Sequence, residues 1–144
     1  MTHVVVDASV ALKWFFRLRD DEQDVAAALQ LLRAVGETRL RLFQPPHFVT
    51  EVSAVLAREA PTTAISSLHD LLDIEMQIIE SEAVYSRAMA LAQRHGHHLF
   101  DTLYHAVALE VDDAVLVTAD VRYARKARAE GHIMALAAFD PDSV

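Results

Sequence analysis

Cysteine is missing altogether from this sequence, and that removes two kinds of architecture at once. No disulfide framework is possible and no thiolate can bind a soft metal, so a reducing cytoplasm is the compartment that fits. Also missing is any apolar run near the roughly 20 residues that a membrane helix needs. No basic stretch leads into a long apolar one at the N-terminus, so no secretory signal is read and no membrane partner is expected. Positive charge is scarce: 13 Lys and Arg stand against 21 Asp and Glu, a formal net charge of −8. A general coat for nucleic acid relies on a positive footprint, and this chain has none. The deficit says less about an enzyme whose carboxylates gather around cations, because a bound metal inverts the local charge logic. Internal repeats, low-complexity tracts and linkers are lacking too.

What is there reads as one globular domain over residues 1–144. Hydrophobic residues make up 53% and charged residues 24%, enough to bury a real core. The chain is organised around Val4-Val5-Val6-Asp7-Ala8-Ser9, where a short Val run ends in an acid and a helical pattern begins. Such a run reads as a fully buried strand at the centre of a parallel sheet. Asp7 then stands at the carboxyl edge, where ligands bind in open α/β sheets.

Helices are expected over residues 9–17, with Val10, Trp14 and either Ala11 or Leu12 inward, and over 22–35, with Val25, Ala28, Leu29 and Leu32 inward, ended by Gly36. The charged stretch between them, residues 17–22, reads as a solvated turn. Residues 39–43 alternate basic and apolar, predicting a half-exposed strand. Pro45-Pro46 opens a helix with Phe48, Val52, Val55 and Leu56 on its apolar face. Another follows over 62–72, capped by Thr62 or Thr63. A short strand is expected at 77–80 and a helix over 81–95 with Val84, Ala88 and Leu91 inward, closed by Gly96. A helix over 99–110 begins near Asp101. Residues 114–118 form the second buried strand, followed by Asp120, a basic helix to about residue 130 and an edge strand at 133–139. Short strands alternating with helices predict an α/β fold, a mostly parallel sheet of four to five strands with right-handed crossovers.

Three aspartates, Asp7, Asp101 and Asp120, fall where helices begin. Each can be explained as an N-cap, stabilised by the helix dipole. Glu51 is harder to explain, lying beside Val52 and one turn from Phe48 and Val55, at the core margin. Acids seldom sit there unless paired or coordinated, and Arg58 offers a pairing partner. Taken together, the four suggest a carboxylate cluster. Two carboxylates about 4 Å apart repel by roughly 4 kcal/mol at an effective dielectric of 20. Four share a pocket only if protons or cations neutralise them, and oxygen-only ligands suit Mg²⁺ or Mn²⁺.

Four blocks carry a resemblance: Val4-Val5-Val6-Asp7-Ala8-Ser9, Pro45-Pro46-His47-Phe48-Val49-Thr50-Glu51-Val52, Phe100-Asp101-Thr102-Leu103-Tyr104-His105-Ala106 and Leu116-Val117-Thr118-Ala119-Asp120. In this order the chain resembles the PIN-domain ribonucleases, most closely the VapC-type toxins of bacterial toxin–antitoxin pairs. The resemblance implies that Asp7, Glu51, Asp101 and Asp120 are catalytic and hold one or two Mg²⁺ or Mn²⁺ ions. Ser9 and Thr118 would orient those carboxylates. It implies cleavage of single-stranded or loop RNA by a metal-activated water, leaving 5′-phosphate and 3′-hydroxyl ends. It also implies a small antitoxin partner lying near the metal site, and a homodimer.

Other features have two readings. Arg122, Arg125, Lys126 and Arg128 are either a solvated helix face or, through Arg122, a guide for RNA phosphates; Lys13 and Arg17 share that ambiguity. His95, His97 and His98 read as a loop before the Asp101 helix rather than a metal tract, and His105 as a packing residue. Trp14, Phe15 and Phe16 read as core or dimer surface rather than a base-stacking platform, and apolar surface around Trp14, Phe15 and Leu18 as the antitoxin's dock. Two competing functions stand beside the nuclease. One is a non-catalytic PIN-like interaction module. The other is an aspartate phosphotransfer domain, which lacks the expected paired acid before Asp7 and a late strand-terminal Lys.

Overall fold

The computed structural model describes residues 2–19 and 22–143. Asp20 and Asp21, in the charged stretch expected to form a turn, lie outside the described residues. Among the described residues, five strands form one sheet: β1 (Thr2–Val6), β2 (Leu40–Gln44), β3 (Met76–Ile78), β4 (Ala114–Thr118) and β5 (Ile133–Ala135). Their order is β3-β2-β1-β4-β5 and every pairing is parallel. The α/β expectation is met, with Val4, Val5 and Val6 wholly buried on the central strand. Seven α-helices among the described residues flank the sheet: α1 (Ala8–Phe15), α2 (Val25–Gly36), α3 (Phe48–Glu59), α4 (Ala64–Asp73), α5 (Glu82–His95), α6 (Leu99–Glu110) and α7 (Val121–Lys126). With right-handed crossovers, the links from β1 through β2 to β3 lie over one face. The link from β3 back across to β4 lies over the other.

That order puts a topological switch point between β1 and β4, since the chain leaves β1 in one direction and later returns to its other side. All five strands point the same way, so their carboxyl ends share one edge. Asp7 follows β1 there and Asp120 follows β4, with Val6 in register with Val117.

Several local expectations are corrected. β2 is an interior strand with only Arg41 exposed, not half-exposed, because β3 covers its other side. α2 begins at Val25, after Asp24 turns the backbone left-handed (φ 56°). It buries Ala28, Leu31, Ala34 and Val35, so Leu29 and Leu32 lie at the margin of its buried face. Gly36 is helical, and Thr38 instead takes the positive φ that breaks the chain out. Gly96 does close α5 in the left-handed region (φ 56°), where a Cβ is disfavoured. Thr63 precedes α4 without a side-chain cap bond. α7 stops at Lys126, followed by a 3₁₀ turn at Arg128–Glu130, and β5 is three residues long before further 3₁₀ turns.

α6 is the helix that periodicity describes least well. Thr102 to Ala108 are buried without a break, as expected of a helix covered on all sides. It packs on β1, β2 and β4 and against α5, and so carries Asp101 to the switch point.

Candidate active site

Asp7 caps α1, accepting from the Val10 backbone N–H. Its two oxygens are also claimed by hydroxyls, Oδ1 by Ser9 and Oδ2 by Thr118. Those hydroxyls themselves accept backbone N–H groups: Ala119 donates to Ser9 Oγ (3.1 Å) and Asp120 to Thr118 Oγ1 (2.9 Å). Two relays thus tie the turn after β4 to the one carboxylate that follows β1. Burial nevertheless prevails over these hydrogen bonds and, helped by the charge of Asp101, pushes the Asp7 carboxyl up to about 6.

The residue before Asp7 is held as firmly. The β1–β2 ladder is in register only as far as Val4 and Leu42. Beyond it the wholly buried Gln44 side chain takes the place of a strand. Its Nε2 donates to the Val6 carbonyl (2.7 Å), and its Oε1 accepts the Val6 N–H (2.9 Å). The only trace of this in the sequence is an amide ending an apolar strand, just before Pro45-Pro46.

Glu51, in the first turn of α3, does not pair with Arg58, which reaches Glu59. Tyr104 of α6 donates its hydroxyl to Glu51 Oε1 (2.6 Å), and His47 Nε2 lies 3.1 Å from the same oxygen. His47 Nε2 also donates to the Phe100 carbonyl (2.7 Å). Burial raises the Glu51 carboxyl, but His47 and Tyr104 outweigh it and hold the group below its ordinary value. Burial and the adjoining carboxylate push the Tyr104 phenol up, so it stays a donor.

Asp101 is not a cap; His98 precedes α6, and Asp101 is its third residue. Asp120 does cap α7, accepting from Tyr123 N–H (3.0 Å). His97 stands between the two acids, its Nε2 3.3 Å from Asp101 Oδ2 and 3.9 Å from Asp120 Oδ2. Lys126 Nζ lies 3.4 Å from its Nδ1, on the other side of the ring. Burial raises the Asp101 carboxyl; the charges of Glu51 and Asp120 add to this and His97 opposes it. Reading His97 as mere loop therefore missed its place beside the acids. The signal was the four-residue spacing to Asp101, repeated between His47 and Glu51.

His105 is the packing residue expected. Its Nε2 donates to the Gly131 carbonyl and its Nδ1 accepts the Tyr123 hydroxyl, both at 2.8 Å. Trp14 is core, 4% exposed, with its indole N–H on the Ala28 carbonyl. It is thus no part of an apolar docking surface; of the trio proposed for one, Leu18 is exposed and Phe15 half-buried. Lys13 is buried too, paired with Glu22 at 3.0 Å, whereas Arg17 and Arg122 are exposed.

Four acids from four parts of the chain thus come to one edge, close enough for their charges to act on one another. Among the described residues, no three His, Asp or Glu side chains are arranged so as to hold a metal ion. Each acid is turned instead toward its own protein partner. The donor set still fits a hard divalent cation: oxygen ligands, mutual repulsion, and a crowded carboxyl whose ionised form lacks a compensating cation. Asp101, Asp120 and Glu51 keep enough side-chain exposure to turn.

The sequence profile of the PIN domain matches residues 4–129. The chain belongs to the PIN domain family. PIN domains are generally nucleases, and those nucleases typically use divalent metals. No curated protein matches this PIN domain in sequence. Solved structures do match its fold. PAE2754 from Pyrobaculum aerophilum superposes with a TM-score of 0.63 at 19% identity, covering 94% of this chain and 92% of that one. VapBC-1 from nontypeable Haemophilus influenzae gives 0.63 at 14% identity, over 94% and 99% of the two chains. The DNA-bound VapBC from Salmonella typhimurium gives 0.61 at 12%, over 94% and 99%. At such identities the likeness is one of fold. Among the described residues, no helix is long and apolar enough to cross a membrane.

Proposed function

We propose that this PIN domain is a metal-dependent endoribonuclease of the VapC kind, cutting single-stranded or loop RNA and restrained by a small antitoxin protein. The observation that carries the reading is Asp7: an acid at the switch point, both oxygens fixed by hydroxyls, its carboxyl raised to about 6, with three further acids around it. The antitoxin is suggested by the likeness to VapBC structures.

Asp7 and Asp101, with Glu51 and Asp120, would hold one or two Mg²⁺ or Mn²⁺ ions. When bound, such an ion neutralises phosphate charge and activates water for in-line displacement at phosphorus. Ser9 and Thr118 keep the Asp7 oxygens in one orientation, and Tyr104 and His47 do the same for Glu51. Holding the carboxylates this way matters because outer partners of metal ligands typically change metal affinity or activity by 10–100-fold. Of the basic residues, Arg17 and Arg122 are open to RNA phosphates; Lys13 faces Glu22.

The test is thermal unfolding with Mn²⁺ or Mg²⁺, alongside cleavage of single-stranded RNA. The ions should raise the melting temperature of the wild type, since they bind the native state selectively. Asp7→Asn should lose both the shift and the cleavage while remaining folded. A wild type that neither responds to the ions nor cuts RNA would leave Asp7 and Asp120 as helix caps, Glu51 and Asp101 as partners of neighbouring side chains, and the domain as a non-catalytic module.

A further inference from the structure

Of the six Phe residues in the chain, Phe16, Phe43, Phe48 and Phe139 are buried and Phe15 is half-buried, whereas Phe100 is 52% exposed. Its position makes that exposure informative. Phe100 immediately precedes Asp101, and its carbonyl anchors His47, the residue that reaches Glu51. The backbone is thus built into the acid network, yet the ring is left at the surface. His98, also exposed, lies stacked with that ring, centroids 5.1 Å apart and planes 16° from parallel. His98 in turn caps α6 by accepting the Phe100 N–H at 3.4 Å. Two rings are therefore held nearly parallel on the rim of the candidate site, outside the core, with the His47 ring tilted beside Phe100 at 5.7 Å.

The charge balance asks for such a feature. A chain at −8 with four acids at its site offers RNA little of the phosphate attraction that normally dominates affinity, and Lys13 is already paired. Stacking does not depend on net charge, and every base presents a π-face, so it holds a strand without reading its sequence. Only an unpaired base can leave its neighbours to stack on a protein ring.

We propose that Phe100 and His98 form a stacking platform for an unpaired base of the RNA strand, placing the adjoining phosphodiester over the acids. This rests on the nuclease reading above. The probe is a phosphorothioate single-stranded RNA 20-mer of randomised sequence, which resists cleavage in Mg²⁺ because that ion binds sulfur poorly, measured by fluorescence anisotropy in Mg²⁺ against a duplex of equal length. Phe100→Ala and Phe100→Leu should weaken single-strand binding by about 5- to 150-fold, the range one stacked base carries. Phe100→Trp should stay within about threefold of wild type, and duplex binding should be weak and unchanged throughout. The Mn²⁺-induced rise in melting temperature should be the same in all four proteins, because Phe100 supplies no ligand.

Equal single-strand binding by wild type and Phe100→Ala would overturn the platform while leaving the nuclease reading intact. So would full binding by Phe100→Leu, which keeps apolar bulk without a ring, and so would a wild type that responds to Mn²⁺ but does not retain the randomised RNA. If Phe100→Ala changes sedimentation of the free protein but not RNA binding, the ring belongs to a protein contact and the platform falls. A wild type that neither binds RNA nor responds to Mn²⁺ overturns both readings together.

Discussion

Asp7 resists ionisation, because burial outweighs the hydrogen bonds that favour its charge. Its folded value of about 6 lies above that of an unfolded Asp, so between about pH 4 and 6 the native state binds the extra proton. Stability from this group therefore falls as pH rises through that window. In metal-free buffer at pH 7.5, Asp7→Asn should stabilise the fold by up to about 3 kcal/mol, with the gain vanishing toward pH 4 in denaturant titrations. Addition of Mn²⁺ should reverse the ranking. His105 carries the opposite sign. Burial lowers its value, so the unfolded chain takes up a proton first and stability is lost as pH falls below about 6.5. A His105→Gln variant should show a flatter stability profile than the wild type between pH 5 and 7, readable by urea unfolding at each pH.

Among the elements, β2 has a role beyond its ladder. Its pairing register with β1 stops at Val4 and Leu42, and the Gln44 amide alone satisfies both backbone groups of Val6 on that side. Gln44→Met keeps the volume but leaves a buried donor and a buried acceptor unpaired. The expected cost is about 2–4 kcal/mol, measured as a lower urea midpoint with an unchanged slope. The junction between α5 and α6 also joins structure to site. Gly96 turns left-handed to end one helix, and within five residues the chain places His97, His98, Phe100 and Asp101 at the sheet edge.

For the molecule as a whole, the acidic balance governs how RNA is met. With few open cations near the site, binding should depend weakly on salt. For single strands each phosphate contact contributes a slope of about −0.7 in log affinity against log salt. Wild-type binding should thus show a shallow slope, and Arg122→Ala should reduce it by about one such contact. A steep slope of several contacts would mean that a positive surface elsewhere captures the strand.

Much was legible before any coordinates because it depends on neighbours along the chain. The Val run of β1, the run of β4 and the Gly96 stop are local patterns of hydrophobicity and backbone preference, and each fell where expected. Asp7 and Asp120 were legible as acids following buried strands for the same reason. Other features depend on contacts between distant segments. Nothing in Leu40-Arg41-Leu42-Phe43-Gln44 says that a strand will cover its far side or that its amide will bond to Val6. Periodicity cannot describe α6, because a helix enclosed on all sides has no polar face. It was likewise packing that sent Lys13 inward to Glu22, turned Glu51 from Arg58 to Tyr104, and brought His97 between two acids. By itself the sequence determined the elements and the acids at their ends, since local propensity and hydrophobic pattern settle those. Which side chains share a surface was decided only by the tertiary structure, because charge repulsion and ring exposure exist only once distant segments lie side by side.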